Sequence, residues 1–427
     1  MMIRFIKYPD RKDWQEIVKR PVFENTSLEK TVKKILEKVK AKADKAVRKY
    51  TKEFDGVKLK KSAVGEKEIK VAGSLLPDGL KQAIQQAKAN IEKFHQSQIE
   101  EIKVIETMPG INCWRKSVGI EKVGIYIPGG SAPLFSTVLM LAVPAVIGGC
   151  KEIILCTPPA KDGSINPAIL YAANICGITQ IFKVGGVQAI AAMAYGTESI
   201  PKVFKIFGPG NQYVTAAKQL IQKEGVAIDM PAGPSEVLVI ADETAASEFV
   251  AADLLSQAEH GADSQVILLT TSETIVEKVQ QCIKEQLKEL PRKEIAEKAL
   301  AKSKIVLLNS IDEAIELSNL YAPEHLILSC NHAKELTGKI ISAGSVFIGN
   351  YSPESAGDYA TGTNHTLPTN GYAAVYSGVS VDSFVKKITF QQLTKQGLEN
   401  IGSSVMQMAV AEGLEAHKNA VAIRLKK

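Results

Sequence analysis

The sequence lacks the features that mark membrane-spanning and secreted proteins. No stretch approaches the roughly 18 uninterrupted apolar residues of a membrane helix, so no membrane partner is expected. Residues 1–14 contain no apolar signal core and become charged within the first few positions. The six cysteines show neither a CxxC pair nor a zinc-finger spacing, as is typical of free thiols in a reducing compartment. The sequence therefore predicts a cytoplasmic protein.

The sequence also has little excess charge. The net charge is +6 over 427 residues, although residues 33–61 contain a concentration of lysine and arginine. Apolar residues in and beside that segment, among them Val32, Ile35 and Val39, recur at helical spacing. The basic residues therefore form the solvated face of an amphipathic helix, and no nucleic-acid partner is expected.

The chain length and the order of its elements indicate more than one domain. A chain of this length exceeds one ordinary core. The first hundred residues favour helices, and from about residue 120 short apolar strands alternate with helices, as in βαβ units on a parallel sheet. The pattern restarts after residues 231–234, and the chain becomes helical again from about Ser383. The predicted strands are residues 124–127, 152–156, 181–184 and 205–207, then 236–240, 265–270, 305–308, 326–328 and 345–348.

Three strand-to-helix turns of the first α/β region are rich in glycine. They are residues 128–131, 185–186 and 208–211. Glycine permits close approach of a ligand to the backbone, and the helix that follows offers free N–H groups to a phosphate. The dinucleotide fingerprint G-x-G-x-x-G is absent, so spacing alone favours a nucleotide site only modestly over ordinary turn glycines. Tyr126, Gln188 and Asn211 lie at or beside these turns.

Polar residues of the second α/β region have the chemistry of a metal site. Gln257 and His260 are three residues apart and share one face of a predicted helix. With a second histidine and Asp358 they would supply nitrogen and oxygen ligands that suit zinc. An alternative role for His260 is to stabilise the C-terminal end of its helix.

Glu324 and His325 stand side by side just before an apolar run. An imidazole with an ordinary pKa near 6.5 suits a general base at neutral pH, and a neighbouring carboxylate suits the activation of water. Sites in parallel α/β sheets usually lie beyond the carboxyl ends of strands, whereas this pair precedes its strand. Catalysis by the pair therefore requires that this edge faces the nucleotide site.

Seven segments between residues 124 and 422 resemble histidinol dehydrogenase: GIYIPGGSAPLFSTVLML, KIFGPGN, DMPAGPSE, LLSQAEHG, APEHL, SPESAGDYATGTNH and AHKNAV. The resemblance implies an enzyme that oxidises L-histidinol to L-histidine, the last step of histidine biosynthesis, through an aldehyde and with two NAD+. It also implies a homodimer with one zinc ion per subunit. The implied fold has two Rossmann-like lobes, each an incomplete doubly wound sheet, and helical terminal segments that swap between subunits.

The resemblance also assigns roles to individual residues. It implies that Glu324 and His325 form the catalytic pair. The implied NAD contacts are Tyr126, Gln188 and Asn211. The implied zinc ligands are Gln257, His260, Asp358 and His417, the last from the partner subunit. The implied substrate contacts are Ser235, Gln257, His260, His325, Asp358, Glu412 and His417.

The same resemblance divides the chain into segments. Residues 1–25 would form an N-terminal helical segment. Residues 26–122 and 234–382 would form the metal and substrate lobe, and residues 123–233 the NAD lobe. Residues 383–427 would form a helical tail that reaches the partner subunit.

Three other functions fit parts of the sequence. A related NAD-dependent dehydrogenase could act on another primary alcohol, such as a sulfonated diol, but Glu412, His365 and the metal residues favour histidinol. A zinc hydrolase could use Glu324 to activate water, although the glycine turns argue against it. A non-catalytic nucleotide-binding protein would leave Glu324 and His325 without a role.

Overall fold

The structure is a computed structural model of the chain and describes residues 3–20, 26–129, 133–231 and 233–426. Its strands are β1 (Arg4–Lys7), β2 (Ile105–Met108), β3 (Ile111–Gly119), β4 (Lys122–Tyr126), β5 (Glu152–Thr157), β6 (Gln180–Lys183), β7 (Lys205–Phe207), β8 (Ala227–Ile228), β9 (Glu236–Ala241), β10 (Gln265–Thr270), β11 (Lys304–Leu307), β12 (His325–Ser329), β13 (Ser345–Ile348) and β14 (Val385–Leu393). Its α-helices are α1 (Trp14–Ile17), α2 (Thr26–Tyr50), α3 (Glu66–Val71), α4 (Asp78–Gln96), α5 (Phe135–Ile147), α6 (Pro167–Ile175), α7 (Gly186–Tyr195), α8 (Gln212–Gln222), α9 (Ser247–Ala258), α10 (Glu273–Gln286), α11 (Lys293–Leu300), α12 (Ile311–Tyr321), α13 (Ala333–Leu336), α14 (Glu354–Tyr359), α15 (Lys395–Ala411) and α16 (Glu415–Leu425). None of these helices is both long enough and apolar enough to cross a lipid bilayer.

Two parallel sheets organise the two lobes. The five-stranded sheet has the order β6-β5-β4-β7-β8, and the six-stranded sheet has the order β1-β11-β10-β9-β12-β13. Neighbouring strands within each of these sheets run parallel. Helices bury both faces of each sheet, which explains why their strands are nearly continuous apolar runs. The predicted mixed α/β fold with parallel sheets is confirmed.

The first strand corrects the prediction that residues 1–25 form a helical segment. β1 pairs in parallel with β11 and forms an edge of the six-stranded sheet. A short 3-10 turn and the single helical turn α1 follow it. The open edge of β11 supplies backbone partners to a short extended segment, so β1 forms without a strong local signal. Residues 1–2 and 21–25 of this segment lie outside the described residues.

The helices between residues 26 and 96 pack differently from the grouping predicted from the sequence. The apolar stripe of α2, including Val32 and Val39, shares a buried cluster with Ala189 and Ile190 of α7. Helix α4 packs on α5. These helices therefore cover the five-stranded sheet rather than the six-stranded one. A helical stripe shows which face of a helix is buried, but it does not identify the sheet that buries it.

A third, antiparallel sheet, of order β14-β3-β2, was not predicted. β14 lies in the tail predicted to be helical, and it pairs along its whole length with β3, from Val385 opposite Gly119 to Leu393 opposite Ile111. Trp114 and Phe390 stack across the pair with ring centroids 5.4 Å apart. The partner strands are separated by more than 250 residues, so no local pattern could identify their pairing. The tail then continues as α15 and α16, which pack on each other.

The carboxyl edge of the five-stranded sheet faces the amino edge of the six-stranded sheet. Tyr126 is the last residue of β4, and Asn211 follows β7. Both line a cavity of about 300 Å³ that Ser235 and Glu324 also line, just before β9 and β12 respectively. Glu324 and His325 stand at the start of β12, and this edge of their sheet faces the other lobe, as catalysis by the pair requires.

Candidate active site

The acid and the imidazole at the start of β12 are fixed by the backbone of β9. Helix α12 ends at Tyr321, and Ala322 then takes a left-handed conformation with φ of 51°. Glu324 accepts a hydrogen bond from the backbone N–H of Glu236 at 2.8 Å, and His325 Nδ1 donates to the Glu236 carbonyl at 3.0 Å. Both side chains are buried. The pair is therefore held by the same residue of the neighbouring strand.

The hydrogen bond at Nδ1 leaves the other ring nitrogen of His325 available. Nε2 is buried, has no hydrogen-bond partner among the described residues, and lies 3.7 Å from Asp358 Oδ1. Burial alone would lower the pKa of His325, but Glu324 and Asp358 outweigh burial and raise the pKa to about 10. Burial also raises the pKa of Glu324 to about 8. Without a cation to neutralise Asp358, both groups therefore favour their protonated forms.

An ion pair between Arg20 and Glu236 stabilises the backbone that holds Glu324 and His325. The sequence did not predict this ion pair. The Arg20 guanidinium binds the Glu236 carboxylate through two nitrogens, with Nη2 at 2.9 Å from Oε2. Nη2 also donates to the Tyr321 carbonyl at 2.7 Å, and the guanidinium lies 3.8 Å from the centroid of the Tyr321 ring. Arg20 thus ties the N-terminal segment to the turn that precedes Glu324. No local signal could predict this contact, because the partners are 216 residues apart.

Three predicted zinc ligands come together: Gln257 on α9, His260 in the turn just after α9, and Asp358 on α14. Ligand atoms of His260, Asp358 and the unpredicted Glu354 lie within 4.8 Å of one another. With its amide nitrogen facing Glu354, Gln257 donates to the two carboxylate oxygens at 2.6 and 3.1 Å. Ser256 Oγ also donates to Glu354 Oε2, at 3.0 Å. These nitrogen and oxygen donors fit a borderline divalent cation such as zinc.

Glu354 is the acidic residue that sequence reasoning missed in this cluster. It is buried, and burial raises its pKa to about 7. Glu354 and Asp358 are four residues apart on α14, so they share one helix face. That spacing is the signal that could have identified Glu354.

His417 and Glu412 lie apart from the other candidate site residues within one chain. Both are exposed, and neither lines the cavities between the lobes. Gly413, with φ of 72°, separates α15 from α16, so the two side chains do not belong to one continuous helix. A cavity of about 860 Å³ beside His260 is lined by residues of both lobes, including Ser235, and opens to solvent.

The predicted NAD contacts line one larger cavity at the carboxyl edge of the five-stranded sheet. The cavity measures about 880 Å³ and includes Tyr126, Gln188 and Asn211. The Tyr126 hydroxyl accepts a hydrogen bond from Gly186 N–H at 3.0 Å, and Asn211 caps α8 by accepting from the backbone N–H groups of Tyr213 and Val214. The amide group of Gln188 is buried without a hydrogen-bond partner among the described residues. Such an unpaired amide fits a bound polar ligand. Gly130 and Ser131 of the first glycine turn lie outside the described residues.

The turn after β7 depends on Gly208. Its φ is 125°, and a Cβ atom there would lie 2.1 Å from the Tyr126 carbonyl oxygen. Lys218 Nζ donates to the Gly208 carbonyl at 2.8 Å, and Gly208 N–H donates to Asp229 Oδ2 at 2.8 Å. Lys218 and Asp229 also form a buried ion pair with each other. The turn is therefore held by a charged pair beneath it.

We expect Gly208→Ala to displace this turn and weaken dinucleotide binding by about tenfold or more, because backbone atoms cannot yield to the added Cβ. Gly225→Ala is the matched control, since Gly225 also has positive φ, of 91°, but its Cβ would meet nothing within 4 Å. Titration of NADH fluorescence with both variants measures the effect. Equal affinities for the two variants would contradict the role assigned to the turn.

Comparison with known proteins agrees with this geometry. The sequence profile of the histidinol dehydrogenase family matches residues 18–425. A histidinol dehydrogenase of Bacteroides thetaiotaomicron is 61% identical over 424 residues, which are 99% of each chain. The crystal structure of histidinol dehydrogenase from Elizabethkingia anophelis is 60% identical, covers 99% of this chain and 98% of its own, and superposes with a TM-score of 0.98.

The chain belongs to the histidinol dehydrogenase family. The resemblance stated from the sequence motifs is thereby confirmed, and it places the chain among oxidoreductases of histidine biosynthesis. The acetylating aldehyde dehydrogenase of Geobacillus thermoglucosidasius is 16% identical, and the match covers 86% of this chain and 97% of that one with a TM-score of 0.50. At that identity the likeness shows the fold alone. The two-lobed fold thus also occurs outside the family.

Proposed function

We propose that this family member oxidises L-histidinol to L-histidine through L-histidinaldehyde and reduces two NAD+ in doing so. The main support is that Tyr126 and Asn211 line both the cavity of about 880 Å³ and the smaller cavity that Glu324 also lines. A nicotinamide in the smaller cavity would lie beside an acid and a base, with the donor atoms of His260 and Asp358 nearby. Alcohol oxidation by hydride transfer needs this combination of groups.

His325 acts as the base in both hydride steps. Its Nδ1 is occupied by the Glu236 carbonyl, so Nε2 is the nitrogen that accepts the hydroxyl proton as the carbinol carbon is oxidised. When bound, NAD+ would supply the hydride acceptor. Neutralisation of Asp358 by a bound cation would lower the pKa of His325 towards the range of a general base. Glu324 then accepts a proton from the water that adds to the aldehyde carbon. As the water adds, His325 returns its first proton to the aldehyde oxygen, so the hydrate is neutral and His325 is again a free base. When the hydrate is oxidised, its hydroxyl proton passes to His325.

Gln257, His260 and Asp358 would hold one zinc ion per subunit, with His417 of a second copy as the fourth ligand. The fit rests on the nitrogen and oxygen donors of His260 and Asp358, which lie beside Glu354 and its partner Gln257. When bound, zinc would supply a Lewis acid that anchors the imidazole and amine nitrogens of the substrate. Glu354 would orient Gln257, while Asp358, together with Glu412 of the second copy, would offset the positive charge of the substrate.

We propose a homodimer in which the tail of one chain completes the site of the other. The antiparallel sheet and the pair α15–α16 carry exposed apolar side chains that a second copy would cover. Among them are Ile105, Met108, Ile388, Phe390, Met408, Val410, Leu414 and Ile423. The open cavity beside His260 would receive His417 and Glu412, while Ser235 at its wall would contact the substrate.

A mixture of two variants tests the shared site. Glu324→Gln and His417→Asn are each expected to form almost no histidine alone, because each removes from every site a component that histidine formation needs, and activity in this test is measured as histidine formed. If the subunits pair at random in a dimer with two-fold symmetry, half of the dimers in an equal mixture contain one chain of each variant. Each mixed dimer has one intact site out of two, so the mixture should recover about a quarter of wild-type activity. Activity equal to the average of the two parent variants would show that each chain uses its own His417 or none.

The substrate assignment is tested with purified protein, NAD+ and a panel of primary alcohols, followed by absorbance of NADH. Histidinol is expected to be the best substrate, and a chelator should abolish its oxidation until zinc is restored. An analogue without the imidazole should react poorly. Faster NADH formation from a sulfonated diol than from histidinol would overturn the substrate assignment while leaving the dehydrogenase activity in place.

A further inference from the structure

Asp55 is a half-buried acid that lines the cavity of about 880 Å³, called the nucleotide cavity below. It ends a π-helical turn, Thr51–Asp55, that follows α2, and it lines the cavity together with Tyr126 and Gln188. Its Oδ2 atom is buried and has no hydrogen-bond partner among the described residues. Burial raises the pKa of its carboxyl group to about 6. Because an unpaired buried carboxylate oxygen is destabilising, its presence in a cavity points to a ligand that pairs with it.

The order of the two cavities places Asp55 at the adenosine end of a dinucleotide. The inner cavity reaches Glu324, and the outer cavity reaches Asp55, while Tyr126 and Asn211 line both. Hydride transfer requires the nicotinamide in the inner cavity. The diphosphate then crosses near Tyr126 and Asn211, and the adenosine half lies in the outer cavity.

The outer cavity has the wrong charge for a phosphate on the adenosine ribose. Among the described residues that line it there is no lysine and no arginine, and Asp55 is its acidic member. In ordinary dinucleotide-binding lobes an acid near the end of the second strand binds the ribose hydroxyls. Here the second strand of the lobe, β5, ends at Thr157, and two prolines follow it. The acid is supplied instead by the turn after α2, which packs across the same edge.

We propose that the Asp55 carboxylate accepts hydrogen bonds from the ribose hydroxyls of adenosine and excludes a 2′-phosphate, so that it selects NAD over NADP. The proposal rests on the proposed dehydrogenase function and adds the residue that determines cofactor choice. Two hydroxyl donors would satisfy the unpaired oxygen. A phosphate at the 2′ position would bring two negative groups together without a compensating cation.

The test compares Asp55→Asn with the wild-type protein, using histidinol and either NAD+ or NADP+. We expect the ratio of kcat/KM for NAD+ to that for NADP+ to fall by about 10- to 100-fold, mainly through KM for NAD+, because a charge-assisted hydrogen bond and a repulsion are both lost. Asp162→Asn is the matched control, since Asp162 lies near the cavity but is paired with Ser164 and absent from the lining. That variant should keep the wild-type ratio.

Three results would overturn the proposal. The first is an unchanged ratio in Asp55→Asn with wild-type thermal stability. The second is an equal fall for both cofactors. The third concerns the NAD+ analogue that carries hypoxanthine in place of adenine. If Asp55→Asn no longer distinguished NAD+ from this analogue, while its ratio of kcat/KM for NAD+ to that for NADP+ stayed at the wild-type value, the carboxylate would bind the adenine amino group and not the ribose. If the wild-type protein oxidises no alcohol, the proposed function fails, and the relative fluorescence affinities of NADH and NADPH in both proteins still decide the role of Asp55.

Discussion

Replacement of Glu324 by glutamine is expected to slow aldehyde oxidation by about 10²- to 10⁴-fold, while alcohol oxidation slows by less than about tenfold. The alcohol step needs a base for the hydroxyl proton, and His325 supplies it. The aldehyde step also needs water to be activated, and a neutral amide cannot accept that proton. The glutamine oxygen can still accept the hydrogen bond from Glu236 N–H, so the position of His325 should be preserved.

The two half-reactions are separated by supplying either histidinol or histidinaldehyde with NAD+ and following single turnovers. Glu335→Gln is the control, because Glu335 is an exposed surface acid paired with His332. In Glu324→Gln, aldehyde should accumulate when histidinol is the substrate. A similar loss in both half-reactions would contradict the division of roles between Glu324 and His325.

Replacement of Lys218 by methionine is expected to lower the free energy of unfolding by about 3–5 kcal/mol, because it leaves Asp229 as an unpaired buried charge. Lys218 and Asp229 side chains are 3% and 1% exposed, so water cannot compensate. The loss should be accompanied by weaker dinucleotide binding, since both residues hold the turn at Gly208. Urea denaturation monitored by fluorescence measures the first effect.

Two comparisons make this result interpretable. Lys40→Met breaks an ion pair with Glu224 whose members are 58% and 40% exposed, and it should cost no more than about 1 kcal/mol. Adding Asp229→Leu to Lys218→Met should restore much of the lost stability, because the unpaired charge is removed. If Lys218→Met were no more destabilising than Lys40→Met, the buried pair would not have the structural role assigned to it.

The central strands could be predicted from the sequence because both faces of each sheet are covered. The strand predicted at residues 265–270 coincides with β10, and the strand predicted at 236–240 ends one residue short of β9. β1 and β14 were missed for a different reason. Their stabilisation comes from partners remote in sequence, and their own residues carry no strong strand signal.

The candidate site shows the same division between local and long-range information. Gln257 and His260 were predicted to share one helix face, but α9 ends at Ala258 and His260 lies in the turn beyond it. The spacing of Glu354 and Asp358 on α14 could have added Glu354 to the candidate ligands. The contact between Arg20 and Glu236, and the position of Asp55 in the nucleotide cavity, depend on how distant segments pack. Those residues become visible only when the fold is known.

The most direct test of the proposed four-electron oxidation uses histidinol with two deuterium atoms on its carbinol carbon. The account predicts two molecules of reduced cofactor, each carrying one deuterium, for every histidine formed, and no free aldehyde released by the wild-type protein. One reduced cofactor per substrate, with aldehyde as the final product, would contradict it.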